Sequence, residues 1–190
     1  SENEILDVLS LDSVEHVTQP PPRFTEGSLI KELEKLGIGR PSTWATIVDT
    51  VLARDYAFKR SGALVPTFLA SAVIGLMERY FTDMVDYEYT ARLEEDLDSI
   101  SRGEADNLSY LRTFYFGNGH TGLKPLVEKG DEKIDPKDVC GIPIGKAGED
   151  RLIEVRIGRY GPFLTDGTHR SSLPDGLAPD ELTLEKAVEI

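Results

Sequence analysis

The stretch from Pro20 to Trp44 holds the residues with the clearest chemistry, because arginines and hydroxyls surround a short turn between two predicted helices. Arg40 lies at the start of the second predicted helix. There its guanidinium, free backbone amides and the positive end of the helix dipole can bind one phosphate. Neutral and cationic donors extend this surface, namely Arg23, Thr25, Ser28, Ser42 and Thr43. Such donors contact phosphate without reading bases, and Trp44 could stack on a base.

Each of these residues also has a purely structural interpretation. Arg40 could pair with Glu26 or Asp49, Ser42 and Thr43 could only cap a helix, and Trp44 could belong to the core. From the residues alone, capping is favoured for Ser42 and packing for Trp44.

A second basic and aromatic cluster lies near the C-terminal end, formed by Arg156, Arg159, Tyr160 and Phe163. Cations interleaved with aromatic rings suit single-stranded nucleic acid passing over a sheet. The alternative is that the two rings pack the sheet and the neighbouring glycines only form a tight turn. The pattern favours neither interpretation.

The acidic residues Glu94, Glu95, Asp96 and Asp98 share one predicted helix and resemble metal ligands only superficially. Adjacent carboxylates on a helix point in different directions, and no histidine or glycine turn supplies further ligands. We therefore predict no metal site and a solvated acidic face. The single cysteine, Cys140, excludes an internal disulfide and a multi-cysteine zinc site.

The chain has 190 residues, 39% hydrophobic content and a net charge of -13, which favours a soluble globular protein with one or two domains. No apolar run reaches the roughly 20 residues of a membrane helix, and the acidic start does not resemble a signal peptide. We therefore expect no membrane partner and a cytoplasmic location. Cations concentrate at 23–60 and 151–170, each with two more cationic than acidic side chains. These are the places where an anion could dock.

Periodicity predicts the elements that position these groups. Residues 1–19 alternate as strands do, and Pro20 to Pro22 end that pattern. A helix is predicted over 26–36, capped by Thr25 and terminated by Gly37, followed by a second helix from Ser42 or Thr43. A hairpin near residues 56–65 completes the order of a winged helix. Further helices are predicted at 67–81, 89–101 and 108–115, the second with Leu93, Leu97 and Ile100 facing inward.

The predicted fold class is mainly α with small β elements, as a winged-helix-like helical domain followed by a small α+β domain with an antiparallel sheet and one helix. The domains are a strand segment at 1–19, the helical domain at 20–125, a linker at 126–134 and the α+β domain at 135–190. Glycine, proline and charged residues favour the linker, since they punctuate loops.

Two stretches resemble the bacterial type IA DNA topoisomerase family. The first has proline-led Arg-Phe-Thr-Glu at 23–26 and Gly-Ile-Gly-Arg-Pro-Ser-Thr at 37–43, followed by an aromatic. The second resembles the family's C-terminal repeat, with Gly-Arg-Tyr-Gly-Pro-Phe at 158–163, Ser-Leu-Pro-Asp-Gly-Leu at 172–177 and Leu-Thr-Leu-Glu-Lys-Ala at 182–187. Trp44 departs from the tyrosine usual in the family, so a hydroxyl contact there would be lost or replaced by the indole N–H.

The resemblance implies a fragment of a nucleoid-associated isomerase that relaxes negatively supercoiled DNA through a tyrosine, with Mg²⁺ in the parent enzyme. The family's tyrosine context and its Asp-x-Asp-x-x-Gly motif are both missing from this sequence. The resemblance therefore implies no catalytic residue and no cofactor here. The expected role is part of a groove for single-stranded DNA, alongside the catalytic domains of the parent chain. The resemblance also places the segment at 1–19 as a return from an arch domain.

Two other classes stay open. A winged-helix regulator would read duplex DNA with the helix from Ser42 to Ala53, but Thr43, Thr46, Asp49, Thr50 and Arg54 are a poor set for base edges. Alternatively, an acidic chain could bind a basic protein partner through its C-terminal domain.

Overall fold

The computed structural model describes residues 10, 12–135, 139–148 and 151–190. Residues 12–19 form neither helix nor strand and are exposed, so the predicted strand is wrong over this part. Val14 and Val17, which suggested it, face solvent. The three prolines that follow lack N–H donors and cannot extend a sheet ladder. The rest of the predicted strand, residues 1–9 and 11, lies outside the described residues.

The first two helices confirm the sequence prediction closely. Helix α1 spans Glu26–Leu36, with Thr25 as its N-cap and Gly37 as a left-handed C-cap with φ 72°. Helix α2 spans Trp44–Ala53 and buries Val48. Strands β1 (Ala57–Arg60) and β2 (Ala63–Pro66) then form an antiparallel hairpin. The order of helix, turn, helix and hairpin is that of a winged helix.

Helices α3 (Phe68–Tyr80) and α4 (Thr82–Val85) follow the hairpin, and α5 (Tyr87–Ser101) and α6 (Asn107–Phe116) complete the predicted series. Of the three residues predicted to face inward on α5, Leu97 is 53% exposed. Its inward placement was therefore wrong, and Leu93 and Ile100 are half-buried.

The predicted linker at 126–134 is also wrong, because helix α7 spans Leu123–Lys133. Pro125 lies in the first helical turn, where a missing N–H costs nothing. Gly130, inside that predicted linker, is buried in the helix, and a Cβ there would lie 2.9 Å from the Phe81 ring. This glycine permits a close approach to the ring and does not break the helix.

The C-terminal domain is a four-stranded antiparallel sheet in the order β3-β4-β5-β6, with helix α8 (Leu184–Glu189) packed against it. The strands are β3 (Gly141–Ala147), β4 (Arg151–Gly158), β5 (Gly161–Thr165) and β6 (Arg170–Ser172). Val155 pairs with Leu164, and both are buried on the inner face. A 3-10 turn at Pro179–Glu181 precedes α8.

Phe68, the first residue of α3, joins the two domains. Its ring is 3% exposed and belongs to the same buried cluster as Val155 and Leu164 of the sheet and Leu182 and Ala187 near α8. The helical domain therefore supplies part of the core of the C-terminal domain.

Candidate nucleic-acid interface

The turn between α1 and α2 is shaped by two glycines and a local hydrogen-bond pair. Gly37 and Gly39 both have φ of 72°, a left-handed conformation that strains other residues. The Thr43 hydroxyl accepts a hydrogen bond from the Arg40 amide at 2.9 Å and donates to the Arg40 carbonyl at 3.1 Å. Thr43 therefore braces the turn that carries Arg40, although its side chain does not cap α2 itself.

The Arg40 guanidinium is largely occupied by protein acceptors. Its Nε and Nη2 donate to Asp98 Oδ2 at 3.1 and 2.7 Å, and Nη1 donates to the carbonyls of Gly37 and Gly39 at 3.2 and 2.7 Å. The hydrogen bond with Asp98 raises the pKa of Arg40, so the group stays cationic. An arginine has five N–H donors, so one Nη2 N–H remains for a ligand. Arg40 pairs with neither Glu26 nor Asp49, the partners considered from the sequence.

Helix α5 supplies the carboxylates that hold this turn. Asp98 pairs with Arg40, and Glu94 Oε1 accepts from the Gly39 amide at 3.1 Å. The predicted solvated acidic face is therefore wrong for these two residues, while Glu95 pairs with Arg102 at the surface. Within the described ranges, no group of three histidine, cysteine or acidic residues could hold a metal ion. The acids of α5 act as structural acceptors.

Trp44 contributes to the fold of the turn. Its indole Nε1 donates to the Ile38 carbonyl at 3.0 Å, and a Cβ on Gly39 would lie 3.0 Å from its Cδ1. The side chain is half-buried. The indole N–H is thus bonded within the protein, and stacking of the ring on a base stays a prediction.

A shallow groove that was not assigned from the sequence runs along α2. It has a volume of about 300 Å³ and is lined by Thr43, Thr46 and Thr50 together with Ile47 and Val51. The hydroxyl-bearing residues recur at helical spacing, which is the signal that could have revealed the groove. Ser42 is exposed beside it.

The remaining predicted residues of this domain lie at the other end of α1. Thr25 and Ser28 form a capping box, in which each side chain accepts a hydrogen bond from the other residue's amide. Arg23 lies next to them and pairs with Asp180 of the C-terminal domain. A helix of 11 residues is about 16 Å long, so the predicted set forms two groups separated by that distance. The structure does not bring them to a single phosphate.

The outer face of the C-terminal sheet carries the second predicted cluster. Arg156 lies opposite Phe163 across β4 and β5, and its Nε donates to Glu154 at 2.5 Å. The guanidinium of Arg170 lies 5.3 Å from the Phe163 ring centre, an arrangement missed from the sequence because it depends on the pairing of β6. Side chains alternate between the two faces of a sheet. Because Val155 and Leu164 point into the core, Arg156, Phe163 and Arg170 lie together on the opposite, outer face.

The turn between β4 and β5 carries the other two residues of the cluster. Tyr160 is 95% exposed, and the Arg159 guanidinium lies 5.7 Å from its ring centre. The interpretation that Tyr160 packs the sheet is therefore wrong. Phe163, by contrast, is half-buried, and its ring packs beside Gly158. A Cβ on Gly158 would lie 3.0 Å from that ring.

Comparison with known proteins gave matches over both domains. Residues 1–112 match a family described as DNA topoisomerase, and residues 147–190 match one described as topoisomerase C-terminal repeat. DNA topoisomerase 1 of Streptomyces coelicolor is 44% identical over 92% of the chain, and that of Mycobacterium leprae is 43% identical over 98%. The chain spans 20% and 22% of the length of these two relatives.

A solved structure is similar as well. Full-length topoisomerase I from Thermotoga maritima matches 85% of the chain and 26% of its own length, with 32% identity and a TM-score of 0.63. Among the described residues, no helix combines the length and apolar character needed to cross a membrane.

Proposed function

Because this chain belongs to the bacterial type IA DNA topoisomerase family, we propose that it forms part of the single-stranded DNA groove of a longer topoisomerase that relaxes negatively supercoiled DNA. The observation that carries the proposal is the match of residues 1–112, which include the turn bearing Arg40. Within the longer enzyme, the catalytic domains of the same chain would be its partners.

The geometry of the turn supports phosphate binding of a particular kind. One Nη2 N–H of Arg40 remains for a ligand, and the exposed Ser42 follows two residues later in the chain. Asp98 and the two glycine carbonyls fix the guanidinium in place, so little side-chain entropy is lost when a phosphate binds. These donors recognise the backbone of DNA and leave its base sequence unread. The threonine-lined groove along α2 continues this surface.

The chain itself is not expected to cleave DNA. Two acids of α5 that could have suggested a Mg²⁺ site accept hydrogen bonds from the turn. Asp98 accepts from the Arg40 guanidinium, and Glu94 accepts from the Gly39 amide. The described residues therefore do not fit the Mg²⁺ that the family implies for the parent enzyme, and both the ion and the nucleophilic tyrosine would come from elsewhere in that enzyme.

The outer face of the C-terminal sheet is the second part of the proposed surface. Arg156, Phe163 and Arg170 share this face, while Arg159 and Tyr160 project from the turn at its end. An exposed tyrosine and a stacked cation suit bases and phosphates of an unpaired strand. A basic protein would have to approach these cations, so the geometry favours DNA over a protein partner here.

The test is fluorescence-anisotropy titration of labelled single-stranded and duplex oligonucleotides at low and moderate salt, with Arg40→Ala compared with Arg54→Ala, an exposed arginine at the end of α2. We expect the chain to prefer single strands, and Arg40→Ala to weaken binding more than Arg54→Ala. Loss of one phosphate contact should reduce the slope of log K against log salt by about 0.7.

Arg40→Ala also removes the hydrogen bonds that brace the turn, so Ser42→Ala serves as a second variant that leaves those bonds intact. Preference for duplex would instead support the winged-helix regulator. Equal effects of Arg40→Ala and Arg54→Ala would refute a specific role for the turn. Absence of binding at low salt would contradict the proposal for the chain on its own.

A further inference from the structure

Two arginines of the helical domain contact two consecutive acids of the C-terminal domain. Arg23 Nη2 lies 2.5 Å from Asp180 Oδ2, and Arg60 Nη1 pairs with Glu181. Arg23 precedes α1 and Arg60 ends the first strand of the hairpin, whereas both acids belong to the 3-10 turn before α8. Two independent parts of the helical domain therefore present cations to one short acidic turn.

The acidic turn is anchored by buried residues on both sides, while its two carboxylates remain at the surface. Ala178 and Leu182, on either side of the turn, are buried in the C-terminal core. Glu181 Oε2 accepts from the Ala178 amide at 3.0 Å, and the hydrogen bond from Arg60 is the larger cause of the lowered pKa of Glu181. Asp180, by contrast, has a side chain that is 64% exposed.

The Arg60 guanidinium is also held in a position from which it can bind an anion. Arg60 also donates to the Gly176 carbonyl and lies over the Phe58 ring at 5.2 Å, so its guanidinium keeps a defined position apart from Glu181. Carboxylate and phosphate oxygens are recognised by the same guanidinium geometry. Partly exposed ion pairs are individually weak, so a ligand with several phosphates can displace them.

We propose that Arg23 and Arg60 form a binding site for the phosphates of a single DNA strand, which Asp180 and Glu181 occupy when DNA is absent. The strand and the acidic turn then compete for the same two guanidinium groups. Because Phe68, Ala178 and Leu182 stay buried, rotation of the two acidic side chains, with loss of the hydrogen bond from the Ala178 amide to Glu181, is enough and the domains need not separate. The inference rests on the proposed function, since it assumes that a single strand passes along the helical domain.

The test compares two double variants with the same change in net charge. Asp180→Asn with Glu181→Gln removes the competing carboxylates, while Asp175→Asn with Glu189→Gln removes two exposed carboxylates of the same region. Both are titrated with a labelled oligodeoxythymidylate. We expect the first to bind about three- to tenfold more tightly than the second, because more of the arginine pair is available. Adding Arg60→Ala to the first variant should abolish the gain.

A second measurement does not depend on DNA binding. The Nε–H signals of Arg23 and Arg60 are followed by NMR during titration with sodium pyrophosphate. Shifts at lower pyrophosphate concentration in the Asp180→Asn, Glu181→Gln variant than in the unaltered chain would support the site, even if oligonucleotide binding and thus the proposed function failed.

Equal DNA affinity of the two double variants would overturn the inference, as would arginine signals that do not respond to pyrophosphate. Lower thermal stability without tighter binding would show that the acids only hold the domains together. If Arg40→Ala reduced DNA binding while these tests failed, the proposed groove would stand without this site.

Discussion

The two domains bury their apolar residues in different ways. In the C-terminal domain, one face of a four-stranded sheet is covered by α8 and Phe68, and Val155 at its centre is fully buried. In the helical domain, helices α1, α5 and α6 contain no fully buried residue. An apolar cleft of about 340 Å³ also opens among its helices and hairpin, beside Leu29, Val51 and Val73.

This difference shows that the site-bearing turn depends on specific polar contacts more than on a thick core. The turn from Gly37 to Thr43 is held by Asp98, Glu94 and its own hydroxyl, whereas the sheet face bearing Arg156 is held by strand pairing above a packed core. Substitutions should therefore act through cavities in one region and through hydrogen bonds and backbone strain in the other.

The largest expected effect comes from Phe68→Ala, which breaks the contact shared by the domains. Truncating a buried phenylalanine leaves a cavity and costs about 3–5 kcal/mol of unfolding free energy. Phe116→Ala is the matched control, since that ring is 62% exposed and its loss should cost less than about 1 kcal/mol. Urea denaturation measures both. Similar losses would mean that Phe68 does not anchor the C-terminal core.

A smaller loss is expected from Gly39→Ala, which tests the geometry of the turn. The new Cβ would lie 2.9 Å from Ile47 Cδ1 at a φ of 72°. Gly103→Ala has similar backbone strain with φ 75° but meets no atom within 4 Å. We expect Gly39→Ala to lower the free energy of unfolding by about 2–3 kcal/mol and Gly103→Ala to lower it by about 1 kcal/mol. Denaturation followed by the fluorescence of Trp44 measures both, and equal losses would show that the turn accommodates the methyl group.

A weaker effect should follow from Asp98→Asn, which removes the charged acceptor of Arg40. The neutral amide still accepts a hydrogen bond but attracts the guanidinium less, so the turn should open more often. Hydrogen exchange at the Gly39 amide should become faster, on the order of several-fold. Asp96→Asn removes the same charge from the same helix and serves as the control. Unchanged exchange in Asp98→Asn would contradict a bracing role.

The smallest effect is expected from Asp166→Asn in the C-terminal domain, and it should change stability only at acidic pH. Hydrogen bonds from the amides of His169 and Thr168, and then from the His169 ring, hold the pKa of Asp166 well below its usual range. A carboxyl group with a lowered native pKa stabilises the fold above its unfolded pKa of about 4, and this contribution is lost as the pH falls further. Asp166→Asn should therefore flatten the acid limb of a stability profile and leave its shape near neutrality unchanged. Asp175→Asn should keep the acid limb, and the same flattening there would contradict the assignment.

What could be predicted from the sequence was mostly local. The bounds of α1 were predicted correctly because Thr25 and Gly37 act within one turn of the helix ends. The winged-helix order and the sheet of the C-terminal domain were confirmed for the same reason, since periodicity and turn residues are short-range signals.

Two of the errors arose from contacts between distant residues. A linker was predicted over 126–134, whereas Gly130 lies in a helix and approaches the ring of Phe81, which belongs to another part of the sequence. The acids of α5 looked solvated because their partners, Gly39 and Arg40, are more than 50 residues away. The ion pair of Arg23 was likewise not foreseen, because Asp180 is 157 residues away. Pairings of this kind depend on the tertiary fold, which local pattern does not encode.

The position of Phe68 also has a consequence for biosynthesis. The ring emerges from the ribosome with the helical domain, but its partners Leu182 and Ala187 are synthesised more than 100 residues later. At about 5–20 residues per second, the ring waits roughly 6–24 s for its core to be completed. During that interval the nascent chain exposes an aromatic side chain to chaperones and to neighbouring chains. The region around Phe68 should therefore be open to aggregation during translation until the C-terminal core is complete.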